Sequence, residues 1–306
     1  MIKKPIVTIG IPFLNPGNLI LEAIQSVFAQ TFIDWELILV DDGSNDESLE
    51  IVQKIRDPRV TVLVDGKNRG LPYRLNQIID LAKGDFIARM DADDIMHPMR
   101  IEKQVNFLKV NQSCDLVASP VILLDDERKP RYLLGSNFKK EKVIFDIFKN
   151  GLIVHPTILV RRDWYINNKY SVDYPRAEDR ELFIRTFERT RICFIEEPLH
   201  FYYWPLRGLT KKVLKGYPSE RKIILKYGPQ MIGKEATYIL WLSSFLKSSF
   251  VSFLFLIKRD DFLVRLSRSY DKLSSNEIDI AERTINEIRF IKVPGINNKV
   301  QKGNGI

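Results

Sequence analysis

Three carboxylates, Asp91, Asp93 and Asp94, fall within four residues at the end of the apolar run Phe86-Ile-Ala-Arg-Met90. Clustered carboxylates repel one another unless a cation or a set of donors neutralises them, and a divalent metal does so at least cost. Mg²⁺ is usually held by one or two carboxylates together with phosphate oxygens of a substrate, so Asp91-Ala-Asp93 reads as a metal–diphosphate site rather than an all-protein cage. The plain alternative for Asp94 is an N-cap of the helix expected over about 98–110, a role that does not account for Asp91 and Asp93 as well. A second acidic group, Asp41-Asp42, ends another apolar run and opens the turn Asp41-Asp-Gly-Ser-Asn-Asp46. These carboxylates either serve turn geometry or accept from the N–H edge of a base and the hydroxyls of a ribose. Glu178 and Asp179 lie in the first turn of an expected helix, where the helix dipole alone already favours acids. His155 interrupts the apolar stretch 151–160, and a buried polar group there needs a partner, structural or catalytic.

The elements that must position these groups repeat as strand, loop and helix. Residues 6–11 form a β-branched run bounded by Pro5 and Pro12 and read as a buried strand; 19–28 has helical periodicity; 35–40 is a second strand. Ser44 with Glu47 has the spacing of a capping box opening a helix to about Arg56. The third unit runs from strand 60–64 through the turn Asn68-Arg-Gly70 to helix 71–82, and strand 86–90 delivers the Asp91 cluster. Alternation of this kind predicts a parallel, doubly wound sheet, with ligands at the carboxyl ends of the strands. Further strands are expected over 116–124, 131–134, 192–195 and 199–204, with helices over about 139–148 and from Ala177 onward. No G-x-G-x-x-G follows the first strand and no Walker A loop occurs. Gly43 is third rather than sixth in its acidic loop, which rules out an EF-hand.

Composition bounds the rest. The chain has 306 residues, 45% of them hydrophobic, enough for one large α/β domain and an appendage. Cys114 and Cys193 sit inside apolar segments and read as reduced core residues, with neither a disulfide framework nor metal-ligand spacing. The first residues lack the apolar region of a signal peptide, so a cytosolic start is expected. The net charge of +8 is uneven: residues 205–306 hold 19 Lys/Arg against 9 Asp/Glu, and residues 1–204 hold 28 against 30. Without a nucleic-acid recognition motif, that basic tail points to an anionic membrane surface.

Taken together, Val7-Thr-Ile-Gly-Ile-Pro-Phe-Leu-Asn15, Val40-Asp-Asp-Gly-Ser-Asn-Asp46, Asn68-Arg-Gly70 with Asn76, Met90-Asp-Ala-Asp-Asp94 and Glu178-Asp179 with Leu182 resemble the family 2 glycosyltransferases over roughly residues 5–210. The resemblance implies the GT-A fold and inverting transfer of a sugar from a nucleotide diphosphate donor, with a UDP-sugar the expected one. It also implies a divalent metal, Mn²⁺ or Mg²⁺. By it, Asp41 binds the base, Pro12 to Leu14 line the base pocket, and Asp91 and Asp93 are the DxD pair with Asp93 the principal metal ligand. Asn68 and Asn76 belong to the donor side, Asp179 is the catalytic base and Arg207 is a diphosphate contact. Where the family often has an aromatic residue, this chain has Leu14. The chemistry is coherent without the family name. Breaking a sugar–phosphate bond needs the leaving charge stabilised, and an attacking alcohol needs a carboxylate to take its proton.

The expected organisation is a doubly wound, mostly parallel sheet flanked by helices over 1–210 (1–95 nucleotide-binding, 96–210 acceptor-facing) and a basic helical extension over 211–306. In that extension, 238–257 is largely apolar with Ser243, Ser244, Lys247, Ser248 and Ser252 on one face, suited to an interface or to packing on the domain. Ser274 with Glu277 opens a further helix with an apolar face of Ile278, Ala281, Ile285 and Ile288. The expected partners are a nucleotide-sugar donor, a saccharide acceptor of the lipid-linked kind used in surface polysaccharide assembly, the inner face of an anionic membrane and room for a homo-oligomer, with no nucleic acid. Two rival classes are a sugar nucleotidyltransferase, which would be expected to carry a Gly-rich loop at Pro12 to Gly17, and a catalytically silent nucleotide-sugar-binding protein.

Overall fold

The computed structural model describes residues 4–135, 144, 147–148, 153–205, 209–257 and 270–296. Strand and helix alternate through β1 (Val7–Phe13), α1 (Leu19–Phe28), β2 (Trp35–Asp41), α2 (Ser48–Gln53), β3 (Val60–Leu63), α3 (Leu71–Leu81) and β4 (Phe86–Arg89). All seven residues of β1 are buried, as a central parallel strand covered on both faces demands. The middle of the chain supplies β5 (Ile95–Met96), α4 (Arg100–Val110), β6 (Leu116–Ala118), β7 (Val121–Leu124), β8 (Pro130–Leu134), β9 (Leu159–Arg161), α5 (Arg162–Asn167), α6 (Glu178–Thr186), β10 (Ile192–Phe194) and β11 (His200–Tyr203). Last come α7 (Leu209–Leu214), α8 (Tyr217–Met231), α9 (Lys234–Leu256), β12 (Asp271–Lys272) and α10 (Ser275–Arg289).

Seven strands form the main sheet in the order β10-β6-β9-β4-β1-β2-β3, mostly parallel, with β9 antiparallel to both its neighbours. One face packs on α1 and α4 through Ile9, Ile11, Ile24, Ile101 and Val105; the other meets α3, α5, α6 and α8 through Leu75, Ile79, Tyr165, Leu182 and Ile223. A smaller sheet, β12-β8-β7-β11-β5, closes the molecule beyond the strand ends. The stretch 116–124, expected as one strand, is divided between the two sheets at Ser119-Pro120, where proline has no N–H for a central ladder.

Three expectations are corrected by the packing. Ser44 and Glu47 make no capping box: α2 begins at Ser48, and Ser44 Oγ instead accepts from the Asn15 amide at 3.1 Å. Cys114 and Cys193 are not two thiols but a disulfide, because β6 and β10 are adjacent parallel strands and bring their Cα atoms to 6.0 Å. Asp94 caps no helix, as the site geometry shows below. The capping box at Ser274 and Glu277 does form. Most of the helix expected over 139–148 lies outside the described residues.

The C-terminal segment returns to the sheets. β12 pairs with β8, and Ala281, Ile285 and Ile288 of α10 are buried with Ile95, Leu124 and Phe201. Gln25 Nε2 donates to the carbonyls of Arg289 (2.8 Å) and Ile291 (3.1 Å), and Val293 joins the main core.

Candidate active site

Parallel register puts Phe13 of β1 opposite Asp41 of β2, and Gly10 opposite Arg89 at the end of β4, so the loops after these strands share one edge. The first two loops are laced together. Asn15, in the left-handed region at φ 52° where Asn is tolerated, accepts from the Asn45 amide at 2.8 Å, and the Gly17 amide donates to Asp46 at 2.6 Å. Pro12 is buried in β1 and Leu14 is exposed beside it.

Asp41 is buried, and its two oxygens accept from the amides of Gly43 (3.1 Å) and Ser44 (3.0 Å), leaving each oxygen a further lone pair. Asp42 is committed elsewhere. It accepts from the Arg69 amide at 2.7 Å and from Arg74 Nε at 2.9 Å, a buried pair that fixes the Asn68 turn against β2. Asn68 itself is exposed at that turn. The Asn76 side chain donates to the Tyr170 carbonyl and accepts from the Tyr170 amide, each at 2.9 Å, leaving a second N–H and a second lone pair.

Oxygens of Asp91, Asp93 and Asp94 lie within 4.8 Å of one another in the loop after β4. The three are not equivalent. Asp94 is fully buried and accepts from His200 Nε2 and the Tyr203 amide, both at 2.8 Å, so it ties the loop to β11. Arg100 Nη1 donates to His200 Nδ1 at 3.0 Å, which makes the ring a neutral tautomer with its proton on Nε2; burial and Arg100 hold it well below its usual range. Burial, and then the Asp91 charge, push the Asp94 carboxyl well above the carboxylate range. Asp91 and Asp93 are partly exposed. A pair of hard oxygen donors beside a third, satisfied carboxylate fits a Mg²⁺- or Mn²⁺-sized cation that completes its shell with phosphate oxygens.

Reasoning on the sequence missed four residues that hold this loop. Arg89 Nη2 pairs with Asp91 at 2.5 Å; its Nε and Nη1, also buried, have no partner among the described residues. Arg128, at φ 62° in the β7–β8 turn, donates to the Asp93 carbonyl at 2.6 Å, pairs with Glu22 at 2.5 Å and lies 5.0 Å from the Tyr203 ring. Arg100 and His200 complete the set. The one signal for Arg89 is a charge inside an otherwise apolar buried strand; nothing local marks the other three.

Glu178 and Asp179 open α6. Asp179 is partly exposed and accepts from the Arg180 amide at 2.8 Å. Glu178 is buried, its Oε2 without a partner among the described residues, and burial followed by the Asp179 charge pushes it up to about 7. The Arg89 charge favours its ionised form and the Asp91 charge disfavours it. His155 is buried and neutral, 2.6 Å from the Tyr170 hydroxyl, which bonds Tyr165 in turn. Arg207 lies outside the described residues.

Comparison with known proteins bears on this arrangement. The chain is 31% identical over 214 residues to an uncharacterized glycosyltransferase of Methanocaldococcus jannaschii, covering 67% of this chain and 72% of that one. It is 30% identical over 227 residues to the bifunctional glycosyltransferase pgtA of Dictyostelium discoideum, of which it spans only 29%. Among solved structures, S. aureus TarS with UDP aligns at TM-score 0.57 and 20% identity over 77% of this chain and 70% of that one. The Pyrobaculum calidifontis mannosyltransferase PcManGT, with GDP-Man and Mn²⁺, aligns at 0.56 and 14% over 94% and 86%. The sheet order and flanking helices are those of the GT-A-like fold, and the family model for glycosyl transferase family 2 matches residues 8–216. The chain therefore belongs to glycosyl transferase family 2.

Proposed function

We propose that this glycosyltransferase moves a sugar, with inversion, from a nucleotide diphosphate-sugar, a UDP-sugar first, to a hydroxyl of a lipid-linked saccharide in polysaccharide assembly at the inner face of a membrane. One observation carries the reading. The carboxylates of Asp91, Asp93 and Asp94 stand within 4.8 Å of one another in a loop at the strand-end edge of the sheet. In it, Asp91 and Asp93 hold a divalent cation, Mn²⁺ or Mg²⁺, that when bound offsets the charge of the leaving diphosphate as a Lewis acid. Asp41 and the loop from Pro12 to Leu14 take the base, Asn68 lies on the same donor side, and Arg207 contacts the diphosphate. Asp179 takes the proton of the acceptor hydroxyl while the hydroxyl oxygen bonds to the anomeric carbon and the bond from that carbon to the diphosphate oxygen breaks. One displacement inverts the centre, so no second nucleophile is needed.

Support comes from neighbours crystallised with UDP, UDP-GlcNAc and GDP-Man, and from 28% identity over 195 residues to the hyaluronan and chondroitin synthases of Pasteurella multocida, of which the chain spans 19%. The test is release of nucleotide from a panel of nucleotide sugars with and without Mn²⁺. Metal-dependent release from one donor supports the reading, and no release from any donor with any metal overturns it.

A further inference from the structure

Helix α9 turns a stripe of large apolar side chains outward. Ile239, Leu242, Leu246, Phe253 and Ile257, on one face at helical spacing, are 41–73% exposed. The opposite face is occupied: Leu240, Ser244, Val251 and Leu254 are buried, Ser243, Ser248 and Ser252 are half-buried, and the apolar stripe faces out. Contiguous exposed apolar surface on this scale marks an interaction site.

We infer that α9 lies flat on an anionic lipid bilayer, with this stripe in the acyl boundary. The surroundings choose that occupant. Residues 209–257 contain eight Lys/Arg and two Asp/Glu, a charge suited to an anionic surface and not to a second copy of the same basic segment. Arg221 of α8 rests 4.2 Å from the Phe245 ring and donates to Ser248 at 3.2 Å, which puts a cation at the edge of the apolar face. Tyr238 and Trp241 are stacked, 6.1 Å between centroids, in the first half of the helix; amphipathic rings of this kind collect at the headgroup level.

At 23 residues, roughly 35 Å at 1.5 Å per residue, α9 is long enough to cross a bilayer. Its attachments forbid that. A Cβ on Gly228 of α8 would stand 2.6 Å from Thr237, so the two helices are in close contact, and a crossing would take Arg221 and its neighbours Lys222 and Lys226 into hydrocarbon. An in-plane helix keeps these contacts and wets the cations.

The inference deepens the lipid-linked-acceptor reading above and rests on it for the location of the acceptor. The experiment is co-sedimentation of the full chain with vesicles of phosphatidylcholine alone and of phosphatidylcholine with phosphatidylglycerol, at low and high salt, beside the double variant Leu246→Glu/Phe253→Glu. The wild type should pellet with anionic vesicles only and lose binding as salt rises, and the variant should partition on the order of a hundredfold less. Both replaced side chains are exposed, so nucleotide release by the variant should match wild type and report an intact fold. Equal binding by variant and wild type overturns the inference. So does a wild type that stays in the supernatant while light scattering shows a dimer that the variant breaks, which makes the stripe a subunit contact. A wild type that binds vesicles as described but releases no nucleotide leaves the docking standing and removes the activity reading.

Discussion

Burial shifts the titration of Glu178 into the neutral range, and this has a thermodynamic consequence apart from catalysis. Its pKa rises from 4.5 to about 7 on folding, so the fold favours the protonated acid. The associated stability is present below about pH 4.5 and is lost as pH rises through about 7, at most about 3 kcal/mol for that shift. The urea midpoint of Glu178→Gln should therefore lack the part of the decline that wild type shows across this window; parallel curves would refute the assignment. Asp179→Asn keeps size and much of the hydrogen bonding but cannot take a proton, so turnover should drop by roughly 10²–10⁴ with donor affinity near normal. If the loss follows Glu178→Gln instead, the base is Glu178. For the cation, nucleotide diphosphate at about a hundred times its dissociation constant should stabilise the protein by roughly 2.7 kcal/mol with Mn²⁺, and by much less with chelator or in Asp93→Ala. An undiminished thermal shift in the variant would move the cation elsewhere. The carboxylates were legible because acids ending apolar runs stand out. Arg128 and His200 were not, because their contacts with the loop after β4 cross 35 and 106 residues of sequence, respectively.

At the level of elements, the helices and buried strands were readable where periodicity or a β-branched run was strong, and α1 has the expected bounds, 19–28. The shortest strands were not. β5 is two residues long and β12 is Asp271-Lys272, both defined by pairing with distant strands rather than by any local pattern. The same long-range logic governs Arg100, the first residue of α4. It is fully buried, its guanidinium pushed down to about 9 by burial and by Arg89, and it donates to His200, Gln104 and the carbonyls of Arg89 and Ile158. Arg100 thus bolts α4, β4 and β11 together under the loop that carries Asp91. Arg100→Leu takes the donor from His200 Nδ1 and Gln104 Oε1 and leaves the Ile158 carbonyl with the Arg89 amide alone, which should cost about 3–5 kcal/mol, read as a lower urea midpoint at unchanged slope. A midpoint within error of wild type would show the network to be dispensable.

Across the whole molecule, the split of charge between the two parts of the chain was visible in composition, whereas the course of the basic part was not. Residues 270–296 come back across the molecule, so a cut at residue 210 would strip the sheets of a strand, a helix and a piece of the core. Val293 packs in that core, the Arg56 amide donates to the Pro294 carbonyl at 2.8 Å, and Gly295 adopts φ +90° with its absent Cβ 2.0 Å from the Lys54 carbonyl. Only glycine fits there, for want of space and for its left-handed backbone. In Gly295→Ala, the chain either bears the clash or releases the segment, and the smaller of the two energies sets the cost. Release touches few core contacts and is the cheaper, so damage should stay local. Hydrogen exchange should then quicken about ten- to a hundredfold at the amides of Arg56 and Ile296 and little at Ile9 and Ile38 in the central strands. If Ile9 and Ile38 quicken by the same factor, the returning segment belongs to the global folding unit and does not detach by itself.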